Sequence, residues 1–191
     1  MKESDIKRYA RVIGIDDGPF DKFSDEATLV VGTISRGGFQ VDGVVSTEVA
    51  IDGDDSAFRL VEMITHCRFF RQIQCILLDG IALGGFNVVD VNQLHEKTGI
   101  PVIVVMRFLP DLEKVKQALE KIGKSHCIPL IDKAGAIEEA RGIYIQRIGI
   151  ERRQANQILK HTMTNSHIPE PIRLSHLYAA GIMRGESKGN V

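Results

Sequence analysis

The sequence holds 191 residues, enough for one sizeable hydrophobic core without division into domains. Hydrophobic residues at 43% and charged residues at 26% are ordinary for a globular chain and exclude a disordered or membrane-spanning class. Lys and Arg total 24 against 25 Asp and Glu, a formal net charge of −1, so whole-molecule electrostatics makes no case for a nucleic acid and any basic surface must be local.

The first strong element runs from Tyr9 to Asp16, where Val12-Ile13-Gly14-Ile15 lead into two carboxylates and the turn Asp16-Asp17-Gly18-Pro19. Segments 28–35 and 39–49 have strand character, and Arg36-Gly37-Gly38 between them suits a tight hairpin, so three antiparallel strands are expected first. From Asp55 the period changes: Ala57, Leu60, Val61 and Ile64 are spaced as one helix face, behind the capping residues Asp54-Asp55-Ser56.

Ile73 to Leu78 reads as a buried strand ending at Asp79-Gly80, followed by a glycine-containing loop and a helix from about Val89 to Lys97. Pro101 to Met106 is a further apolar strand, and Leu112 to Ile122 a helix. Pro129 and Gly135 mark 126–140 as a loop-rich connection. Strand character resumes over 142–148, Glu151 to Thr164 is helical, a last helix covers Arg173 to Met183, and 184–191 reads as a polar, frayed tail. Hairpin-linked strands followed by strand–helix alternation predict an α/β fold: one domain over 1–191, with a mixed sheet covered by helices.

Ligands of such sheets sit beyond the carboxyl ends of the parallel strands. Asp16 and Asp79 each end an apolar strand. On neighbouring strands their carboxylates would lie about one strand spacing apart, roughly 5 Å plus side-chain reach. So close a pair repels unless a proton or a cation intervenes. Oxygen ligands of this kind favour Mg²⁺ or Mn²⁺, which polarise a phosphate oxygen and activate water.

Each residue also has a purely structural reading. Asp before Gly ends a strand with a turn, Asp54 and Asp55 suit a helix N-cap, and the loop from Gly80 through Gly84 and Gly85 could cradle a phosphate or simply turn. Cys67, Cys75 and Cys127 are odd in number, lack zinc-ligand pairing and adjoin apolar stretches, so they read as reduced core residues. The six histidines show no ligand-like spacing and are assigned to helix or loop surfaces. Arg152, Arg153 and Lys160 make a basic helix face open to a phosphate backbone or to solvent. Met1 to Asp5 lack an apolar leader and no run approaches the ~20 apolar residues of a membrane span, so a cytoplasmic protein with no membrane partner is expected.

Gly14-Ile15-Asp16, Leu77-Leu78-Asp79-Gly80 and Ile168-Pro169-Glu170-Pro171-Ile172-Arg173-Leu174, in that order, resemble an archaeal family related to endonuclease V. The resemblance implies a ribonuclease-H-like fold and a Mg²⁺- or Mn²⁺-dependent nuclease acting on DNA or RNA. It implies Asp16 and Asp79 as ligands and catalytic residues, with Asp55, or Asp54 beside it, where endonuclease V carries a glutamate before the first helix. Glu151 occupies the region of an expected histidine and could supply a further oxygen. Gly80, Gly84, Gly85 and Arg152 are the candidate substrate contacts. The aromatic, proline-rich wedge that endonuclease V carries before its glutamate is replaced here by Val49-Ala50-Ile51-Asp52-Gly53. A non-catalytic nucleic-acid-binding relative and a small-molecule phosphohydrolase are the alternatives.

Overall fold

A computed structural model describes residues 6–187; residues 1–5 and 188–191, on which the expectations about the start of the chain and the end of the polar tail fall, lie outside the described residues. The elements in order are β1 (Arg11–Asp17), β2 (Ala27–Arg36), β3 (Gln40–Ala50), α1 (Ser56–Thr65), β4 (Cys75–Asp79), β5 (Ala82–Leu83), β6 (Asn87–Val88), α2 (Val91–Thr98), β7 (Val102–Met106), α3 (Leu112–Lys121), α4 (Ile128–Lys133), β8 (Glu138–Ala140), β9 (Ile143–Ile148), α5 (Arg152–Thr162) and α6 (Glu170–Arg184). Among the described residues seven strands form one sheet in the order β3-β2-β1-β4-β7-β9-β8. The first three are antiparallel, β1-β4-β7 are parallel, and β9 runs antiparallel to β7.

Side chains alternate between sheet faces. Ile13, Ile15, Ile76 and Leu78 point to the face covered by α1 and α2, where Leu60, Ile64 and Leu94 complete an apolar layer. Val12, Cys75, Leu77 and Ile103 point to the other face, against Ile158 and Leu159 of α5 and Ile172 of α6. Asp16 and Asp79 continue this second series, two residues beyond Gly14 and Leu77, which are register partners. The two carboxylates therefore emerge on the same face of adjacent strands, at the same level.

The expected elements are found, with local corrections. The connection at 126–140 contains α4 and the edge strand β8 as well as a short 3₁₀ turn, Ser125–Cys127. Pro129 did not break α4 because it stands in the first turn, where its missing N–H has no intrahelical partner. For the same reason α6 begins at Glu170, ahead of Pro171, rather than at Arg173. Cys75 and Cys127 are buried and Cys67 half-buried, all free thiols. Among the described residues no helix is long and apolar enough to cross a membrane.

Candidate metal centre

Asp16, Asp17, Asp79, Arg107, His176 and Arg184 line a cleft of about 400 Å³ at the carboxyl edge of β1 and β4. Burial, then the charges of Asp79 and Asp17, push the Asp16 carboxyl up to about 8. Burial also raises Asp79, against the opposing pull of Arg107 and His176, and raises Asp17. Three acids so placed disfavour their own ionisation. The donor set fits a hard divalent ion, which would relieve that repulsion, and Asp16 and Asp79 are the residues that would hold it.

Each acid is fixed by a different element. His176 of α6 places Nδ1 2.9 Å from Asp16 Oδ2, while the Asp17 backbone N–H donates to Asp16 Oδ1 at 2.9 Å. Arg107, just past β7, sets a guanidinium nitrogen 3.6 Å from Asp79 Oδ2. Asp17 faces the other side of the sheet, where its Oδ2 accepts the Gly84 N–H at 2.8 Å and ties the glycine loop to the strand end. Gly80 adopts φ +76° directly after Asp79, with nothing within 4 Å of where a Cβ would stand. Gly85, at φ +83°, packs on Asp52, into which a Cβ would run.

The histidines are not all surface residues, as the sequence reading had them. His176 stands four residues after Ile172 and four before Ala180, both buried in α6, so helical spacing alone puts it on the inward stripe. Asp17 and Arg107, also unassigned from sequence, were readable only as neighbours of strand ends. His176→Ala is expected to lower divalent-ion affinity about 10- to 100-fold, the usual loss when the partner that orients a ligand is removed, with the fold retained. Titration of Mn²⁺ by calorimetry checks this.

Asp55 is not brought into the cleft. It caps α1 on the far face of the sheet, accepting the Ala50 N–H at 3.1 Å and Asn87 Nδ2 at 2.7 Å, with Arg59 at 3.3 Å. Burial raises its carboxyl, but these donors outweigh burial and hold it below the usual range. Asp54 is held at about 2, first by a hydrogen bond from Lys124. With His126 and Cys127 it forms a group whose ligand atoms lie within 4.8 Å of one another. The buried Lys124 ammonium already stands 2.8 Å from Asp54 and bonds the carbonyls of Asp52 and Gly53, so the charge there is neutralised by the chain itself.

Glu151 and Arg152 are a clearer correction. Ile148, at the end of β9, pairs with Val102, the first residue of β7, whereas Asp79 pairs with Val105 near the end of β7. Because β9 is antiparallel, whatever follows it leaves the sheet at the edge opposite the cleft. There Glu151 caps α5 in a capping box with Gln154, and Arg152 reaches Glu138 at 3.6 Å. Glu151→Ala is expected to leave Mn²⁺ affinity unchanged and to cost about 1 kcal/mol of stability, measurable by urea unfolding.

Strand order and the parallel β1-β4-β7 core give an endonuclease V-like fold. A Ciona intestinalis endonuclease V, solved in complex with a 24mer DNA containing an inosine followed by a ribo-adenosine, superposes at TM-score 0.59 with 15% identity, over 92% of this chain and 86% of that one. Residues 8–183 match the family described as Endonuclease dU, and the chain belongs to that family. A "UPF0215 protein" of Methanothermobacter thermautotrophicus is 44% identical over 190 residues, 97% of this chain and 93% of the relative. A crystal structure of an Archaeoglobus fulgidus protein, 40% identical, superposes at TM-score 0.85 over 92% of this chain and 99% of that one.

Proposed function

We propose that the chain is a divalent-metal-dependent endonuclease, working as one domain, that hydrolyses a phosphodiester of DNA at a deaminated base, with deoxyuridine as the lesion. The observation that carries this reading is the side-by-side, same-face placement of Asp16 and Asp79 in a cleft that raises both carboxyls. The family description supplies the lesion. Mg²⁺ or Mn²⁺, when bound, would supply Lewis-acid polarisation of the phosphate and activation of water.

The chain's own groups do the rest. Asp16 and Asp79 would hold the ion; His176 fixes the rotamer of Asp16; Arg107 offers its guanidinium to a phosphate oxygen beside Asp79. Gly80 leaves open space through which a backbone can approach. Asp17 holds the Gly84 end of the loop still while it does so.

The test is nicking of oligonucleotides carrying a single deoxyuridine, in DNA and RNA versions, with Mn²⁺ or Mg²⁺. A nick near the lesion that disappears with a chelator and in Asp79→Asn supports the reading; no nick with either ion overturns it. One observation favours a second reading, a binding protein without turnover: Asp55 is committed to Ala50 and Asn87, which leaves the cleft without the third ligand expected before α1. That protein would give a salt-sensitive gel shift and no product.

A further inference from the structure

The carboxylate cleft does not stand alone. It shares Pro19 and Arg184 with a hollow of about 700 Å³ on one flank, and Arg107 with a hollow of about 590 Å³ on the other. The three form a trough along the carboxyl edge of the sheet. Each outer hollow carries a large ring held in water: Phe23 is 97% exposed and Phe108 82% exposed.

A single exposed apolar residue needs no explanation, but the loop carrying Phe23 is built to present it. Phe20 packs toward Gly85, and Lys22 pairs with Asp52 at 3.5 Å. The Phe23 N–H donates to Asp21 Oδ1 at 2.8 Å, and the Asp21 N–H donates to Asp25 Oδ2 at 2.7 Å. Asp21 and Asp25 thus bond the loop's own backbone, which holds the main chain at the tip where Phe23 stands. On the far side Phe108 directly follows Arg107, so ring and guanidinium leave β7 together. Rings interleaved with Lys22, Arg107 and Arg184 along a trough are what an unpaired nucleic acid strand requires: cations track its phosphates and flat faces receive its bases.

We propose that Phe23 and Phe108 are the stacking platforms for the bases on either side of the phosphate that meets Asp16 and Asp79, the occupant being an unpaired stretch of strand. This rests on the nuclease reading of the same cleft. Alternation of rings with cations and the bracketing of the acids favour a strand over an apolar protein partner.

The experiment measures binding of a single-stranded, deoxyuridine-containing oligonucleotide by anisotropy in chelator, with 2-aminopurine beside the lesion reporting stacking, and nicking in Mn²⁺ alongside. Phe23→Ala and Phe108→Ala are each expected to weaken binding about tenfold and to relieve 2-aminopurine quenching. The Tyr variants should restore both and the Leu variants should not. Phe39→Ala, on the hairpin at the opposite edge, should bind as the unaltered protein does. If the unaltered protein nicks but the alanine variants bind equally well, or Leu serves as well as Tyr, the stacking inference alone fails. If it binds no oligonucleotide at all, the nuclease reading fails with it.

Discussion

Asparagine in place of Asp16 is expected to abolish nicking, by on the order of a thousandfold or more, and at pH 8 without divalent ions to raise the melting temperature. The two effects have one cause. The Asp16 carboxyl is raised from 3.8 to about 8 by burial and by Asp79 and Asp17. Between those values the folded chain binds a proton that the unfolded chain releases. Its stabilising contribution is therefore complete below 3.8 and is lost as pH climbs through about 8.

The neutral amide keeps the shape, removes the charge and flattens that slope, a gain on the order of 2–4 °C for each kcal/mol recovered. A divalent ion competes with the same proton, so Mn²⁺ should raise the melting temperature of the unaltered protein more at pH 8 than at pH 5, and should not do so in the variant. Thermal melts at the two pH values, with and without Mn²⁺, decide it. A variant no more stable than its parent at pH 8 without metal would contradict the crowding of acids that the cleft displays.

What the sequence could reveal of this centre follows from how each residue is positioned. Asp16 and Asp79 were legible because period-two alternation is local: an apolar run that ends in Asp fixes both the strand end and the face. Their adjacency follows from β1 and β4 being parallel neighbours. Glu151 was misplaced because strand direction is not local. The 36 residues between β7 and β9, 107–142, can return the chain to either edge, and here the antiparallel return of β9 carries Glu151 away. Asp55 presents the ambiguity of any acid before a helix, and its actual partner, Asn87, comes from a two-stranded ribbon too short to leave a periodic signal. His176 was readable from spacing on α6, but only if an inward histidine is allowed a carboxylate on another element to receive it.

That dependence on α6 yields the other large effect. Gly14, one turn of the pleat before Asp16, is where α6 rests on β1. A Cβ added there would stand 2.7 Å from Pro171 O and closer still to the Pro171 carbonyl carbon and the Ile172 nitrogen. These are backbone atoms at the start of a helix, which no rotamer change can move. The Gly14 carbonyl also accepts the Ser175 hydroxyl at 2.8 Å, and the same hydroxyl oxygen takes the Thr33 N–H at 3.0 Å, so the helix is pinned over the strand from both sides of the contact.

Gly14→Ala must lift the N-terminal end of α6, at an expected cost of about 3 kcal/mol, or on the order of 6–12 °C in melting temperature. It must also move His176 from Asp16. Gly32→Ala is the comparison: its Cβ would meet the ends of the Ile13 and Val45 side chains at 2.8 and 3.0 Å, groups that can turn aside. The expected order is therefore a larger loss at Gly14, accompanied by weakened Mn²⁺ binding that Gly32→Ala does not show. Equal losses, or a Gly14 variant with full metal affinity, would mean that α6 does not set the cleft through β1. The glycine two residues before the acid would then be a matter of packing only.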